Sequence, residues 1–78
     1  MKKISITYLD RFKRSVSDKW LEERGLIKTT RDKLTSDSFT SMSVYQYDGN
    51  GGVFWIAHYT FHDDIEENFI TEFLLRFS

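Results

Sequence analysis

Apolar and polar residues recur along this chain with two different periods, and each change of period marks an element. Ile4-Ser5-Ile6-Thr7-Tyr8 alternates strictly, which puts Ile4, Ile6 and Tyr8 on one face, as a half-buried strand requires. From Leu9 the spacing widens. Leu9, Phe12, Val16 and Trp20 recur every three or four residues and predict a helix with those side chains on its inner stripe. Gly25 ends it. A left-handed glycine at C′ makes Leu26 the C″ residue and Leu21 C3, the hydrophobic pair of a Schellman stop. The start carries conflicting signals. Arg11, Lys13 and Arg14 oppose the helix dipole, which suits a later start with Ser17 as cap and Asp18 in the first turn. The fit of Phe12 and Val16 to the stripe favours the early start.

Residues 28–38 are polar apart from Leu34 and predict a loop, with room for one helical turn capped by Thr29 over Asp32. Two strands follow, at 40–47 and 53–62, around Asp48-Gly49-Asn50-Gly51-Gly52. The Asn-Gly step signals a hairpin because both residues tolerate positive φ. In the second of these strands Val53, Trp55, Ala57, Tyr59 and Phe61 face one way, and Phe54, Ile56 and His58 the other. A strand apolar on both sides reads as central. The last element is a helix with Asp63 as cap and Glu66 at N3, acids crowding its first turn as the dipole prefers. Ile65, Phe69, Ile70, Phe73, Leu74 and Phe77 share one wide face, and Leu75 falls opposite, beside Asn68, Thr71 and Glu72.

The order β-α-β-β-α, with a right-handed crossover and a hairpin, predicts one α+β domain over residues 1–78. Its sheet is expected to be three-stranded and antiparallel, in the order 1-3-2, with two helices on one face. That arrangement resembles a ferredoxin-like fold lacking its last strand. The resemblance is one of topology and implies no functional motif. It leaves the first strand as an edge, guarded in part by Lys2 and Lys3, through which a homodimer would form. A winged-helix alternative needs a third helix inside 28–38, which is too short for one.

Composition narrows the class. Seventy-eight residues hold one core, and the absence of cysteine excludes disulfides and a thiolate zinc site. Aromatic residues make up 17% of the chain, and each ring buries roughly 150–250 Å². There is no continuous apolar stretch of the kind a secretory leader or a membrane span needs, so a cytoplasmic protein without a membrane partner is expected. The net charge is −1 but unevenly spread: residues 1–34 carry ten of the eleven Lys and Arg, and residues 35–78 hold only Arg76 against seven acids. Such asymmetry points to a charged partner.

Catalytic and metal chemistry find little support. His58 and His62 on one strand stand roughly 13 Å apart at ~3.3 Å per residue, too far to share an ion. Asp48-Gly49-Asn50 lacks the glycine and the bidentate Glu of a calcium loop, and no Gly-Lys-Ser/Thr follows the glycines as in a phosphate loop. The acids gather at a helix start rather than in a cleft, and no nucleophile motif surrounds a hydroxyl. Neither enzyme activity nor cofactor nor metal is expected. What remains is binding. The first expectation is a protein-binding module, of the inhibitor or adaptor kind common on phages and other mobile elements, acting on a nucleic-acid-handling protein. Its partner-binding residues would be Arg11, Lys13, Arg14 and Arg31 on a basic side, and Asp63, Asp64, Glu67, Glu72 and Leu75 on an acidic side. The alternative is a nucleic-acid binder using Arg11, Lys13, Arg14, Lys28, Arg31 and Lys33 on phosphates.

Overall fold

Strand β1, Lys2–Tyr8, follows its alternation: Ile6 and Tyr8 are buried while Ser5 and Thr7 are exposed. The structure is a computed structural model and describes residues 1–9 and 12–77. Helix α1 spans Lys13–Glu23. Gly25 (φ +93°) closes it as a Schellman stop, with Leu26 N–H donating to Leu21 C=O and Gly25 N–H to Glu22 C=O. Leu21 and Leu26 are both buried, as that motif asks.

The inner face of α1 is not the predicted stripe. Of that stripe only Trp20 is buried; Leu9, Phe12 and Val16 are 88%, 65% and 58% exposed, and the helix buries Ser17, Asp18 and Leu21 beside Trp20. Two polar side chains turn inward because the sheet meets them with hydroxyls. Ser17 is no cap: its Oγ donates to Lys13 C=O (3.0 Å), so Tyr8 OH donates to Ser17 Oγ (2.6 Å). Tyr59 OH donates to Asp18 Oδ1 at 2.8 Å, while Lys28 Nζ and Ser41 Oγ reach Oδ2 at 3.1 and 3.0 Å. A buried carboxylate is tolerable when its lone pairs are filled in this way.

The expected three-stranded antiparallel sheet is overturned. Ile27–Lys28 forms a further strand, β2, parallel to the start of β3 (Ser38–Tyr47), and β4 (Val53–Phe61) lies between β3 and β1. The sheet is four-stranded and mixed, in the order β1-β4-β3-β2, so a ferredoxin-like sheet short of one strand does not describe it. Two residues show no alternation to read. β2 exists because Ile27 N–H reaches Asp37 C=O and Thr29 N–H reaches Phe39 C=O, both at 2.9 Å. A short 3₁₀ turn, Arg31–Lys33, follows with Thr30 rather than Thr29 at its cap position.

In the β3–β4 turn, Gly49 and Gly51 take the left-handed conformation and Asn50 does not. Asp48 replaces the Asn-Gly device: its Oδ1 accepts the N–H groups of Asn50 (2.7 Å) and Gly52 (3.0 Å). Helix α2, Glu67–Phe77, starts four residues after Asp63, which is therefore not its cap. The intervening turn is closed by Ile65 N–H on His62 C=O, and Lys2 Nζ occupies Ile65 C=O (3.0 Å).

Both helices pack on one face of the sheet. Phe73 is fully buried against Tyr59 (5.0 Å between centroids) and Phe61 (6.2 Å). Trp20 joins the helices, with its ring 5.6 Å from both Phe69 and Phe73.

Candidate binding surface

Side chains alternate across a sheet, so the face opposite the helices is read directly from the strand registers. It carries Lys3, Ser5 and Thr7 from β1; Phe54, Ile56, His58 and Thr60 from β4; and Thr40, Met42, Val44 and Gln46 from β3. None of these side chains is buried. Phe54, Ile56 and His58 make β4 apolar on both sides, yet α1 and α2 cover one of them. β4 is central in the sheet, as its sequence reads, with strands on both edges but helices over only one face.

The open face has two ends. Toward the turn, Met42, Val44, Phe54 and Ile56 form an apolar strip, with Val44 paired to Ile56 across the strands. At the other end lies a shallow depression of about 590 Å³ whose lining includes Lys3, Ser5, Arg31, Thr40, Met42 and His58. Polar groups gather in it: Ser5 Oγ meets His58 Nδ1 at 2.8 Å, and Thr40 and Thr60 sit beside them. Lys3 and Arg31 stand at the rim, both exposed, and neither makes an ion pair among the described residues. No strand residue of this face is acidic.

The residues singled out from the sequence are scattered by the fold. Arg11 lies outside the described residues. Lys13 and Arg14 sit on the first turn of α1, on the helix side of the sheet, whereas Arg31 is on the rim of the open face. Lys28 is held by Asp18, and Lys33 is exposed at the end of the 3₁₀ turn. The basic set is thus not one surface. Three of the acids have carboxylate partners within the chain, Asp63 the N-terminal ammonium, Glu67 Lys2 and Glu72 Arg24, while Asp64 donates its backbone N–H to His62 Nδ1. The three ion pairs join the basic half of the chain to the acidic half, so the fold brings the segregated charges together. The ammonium, which hydrogen-bonds Asp63, holds its carboxyl below the usual carboxylate range. Leu75, 80% exposed, is not part of the core.

Sequence reasoning missed Met42, Val44, Phe54 and Ile56 as surface groups, and gave Lys3 only the role of an edge guard. One signal for them was present: two helices assigned to one side of a sheet leave its other side bare.

The buried hydroxyl network under α1 is structural in its chemistry. Burial, reinforced by the Asp18 carboxylate, pushes the Tyr59 hydroxyl far above the ordinary phenol range, and burial also raises Tyr8. Such groups stay protonated at neutral pH and act as hydrogen-bond donors, not as bases. Among the described residues no helix is long and apolar enough to cross a membrane. No family model, curated protein or solved structure matches the chain.

Proposed function

We propose that this chain is a non-enzymatic binding module that holds another protein against the uncovered face of its sheet. The observation that carries this reading is the face itself: an apolar strip of Met42, Val44, Phe54 and Ile56 runs into a hydroxyl-lined depression with Lys3 and Arg31 at its rim. An apolar centre with a polar border is how protein interfaces are built. With cations at the rim and no acid among its strand residues, the face suits a partner segment carrying both apolar and acidic side chains, the acids steering the encounter. The carboxylates of α2, already paired within the chain, are the weaker surface for such work.

The second reading, nucleic-acid binding, is favoured by one observation. Tyr45 and Tyr47, 54% and 67% exposed, lie 5.7 Å apart and offer rings for base stacking. Their side chains, however, are on the helix side of the sheet, away from Lys3 and the depression.

Affinity capture with wild type, Ile56→Asp and Leu75→Asp tests the proposal. The partner is expected to be retained by wild type and by Leu75→Asp, and lost with Ile56→Asp. A gel shift with random-sequence DNA and RNA at low and moderate salt is expected to show no retention. Retention that is micromolar, salt-sensitive and unchanged by Ile56→Asp would replace the protein-binding reading with the nucleic-acid one.

A further inference from the structure

The sheet ends in two unlike edges. β1 carries Lys2 and Lys3, side chains that discourage another strand from pairing. β3 carries no charge from Ser38 to Tyr47, and β2 shields only Ser38 and Phe39 of it. Beyond Thr40 its outer edge has no strand beside it among the described residues. The direction of its backbone groups follows from two sets of bonds. Asp48 N–H donates to Gly52 C=O across the hairpin, so even-numbered residues of β3 bond to β4. Thr29 N–H and Ile27 N–H reach Phe39 and Asp37 C=O, so odd-numbered residues point outward. Ser41, Ser43, Tyr45 and Tyr47 therefore present their N–H and C=O groups along the free edge.

From this we infer that β3 is the seam of a homodimer, pairing antiparallel with β3 of a second copy about a two-fold axis at Val44. The register is self-complementary. A two-fold at Val44 sets Ser43 against Tyr45 of the second copy and Ser41 against Tyr47, all four with backbone groups turned toward each other. Up to about eight backbone hydrogen bonds result. Each tyrosine ring, exposed in the single chain, then lies over a serine, large against small. On the opposite face Val44 meets Val44, and the apolar strips of the two copies become continuous. No charge meets a like charge, because the segment has none. Pairing at β1 would instead place lysines at the seam, so the assembly stops at two copies rather than growing into a filament. This inference is independent of the binding reading above, which concerns a face rather than an edge.

Light scattering across a wide concentration range is expected to show a mass approaching twice that of the monomer. Val44→Lys, which sets two ammonium groups against each other on the axis, is expected to return the monomer mass with an unchanged far-ultraviolet circular dichroism spectrum. The chain has no cysteine, so Val44→Cys adds a single thiol. Under mild oxidation it should form a disulfide-linked dimer, whereas Ser5→Cys on β1 should not. A monomer at every concentration, a dimer that Val44→Lys leaves intact, or cross-linking at Ser5→Cys in place of Val44→Cys overturns the inference.

Discussion

The two faces of one sheet have had opposite fates. On β4, Ala57, Tyr59 and Phe61 are sealed under the helices, while Ile56, His58 and Thr60, each one residue away, are only partly covered. The strand's composition on the two sides differs far less than its surroundings do. A strand's apolar content thus shows that it belongs at the centre of a sheet. Whether both sides are covered depends on how many other elements there are to cover them.

The difference can be broken by substitution, most severely on the covered face. Phe73→Ala removes the ring at the meeting point of Trp20, Tyr59, Phe61 and Phe77 and should cost about 3–5 kcal/mol in denaturant unfolding. Asp18→Ala comes next, at about 2–3 kcal/mol, because it strands the donors of Tyr59 and Ser41 and frees Lys28. The same network sharpens the comparison through pH. Folding raises the pKa of Tyr59, so its contribution is complete below the unfolded value near 10 and is lost as pH climbs above it. Thermal melts at rising alkaline pH should show that decline in wild type and a shallower one in Tyr59→Phe. The smallest effect belongs to the open face. Met42→Ser should change stability by no more than about 0.5 kcal/mol, since Met42 is already more than half exposed. A Met42→Ser cost comparable to that of Phe73→Ala would mean that something covers this face even in the isolated chain.

Much of the fold was legible from period and turn chemistry. The alternation from Ile4 to Tyr8, the Schellman stop at Gly25 and the wide apolar face of α2 all depend on neighbours within a few residues. Ser17 and Asp18 were misread because a helix stripe is counted in apolar side chains, and theirs are buried by tyrosine hydroxyls arriving from distant strands. Asp63 looked like a helix cap, yet the N-terminal ammonium and the turn at His62–Ile65 claim that region first. Read along the chain, the two charged halves offer two surfaces. In the fold Lys2, Arg24 and the N-terminus meet Glu67, Glu72 and Asp63, and the asymmetry becomes internal complementarity. Of the candidate binding surface, only Arg31 is a partner-binding residue by sequence.

By itself the sequence determined the three long strands and the two helices, where the first helix stops, and that the long strands carry enough rings for one core. These are local properties, set by backbone preference and side-chain period. Tertiary structure alone decided that Ile27–Lys28 joins the sheet, that a carboxylate is buried under α1, and that one face and one edge stay bare. Each of these is a contact between groups far apart in the chain, and side-chain spacing along the chain does not specify the partner.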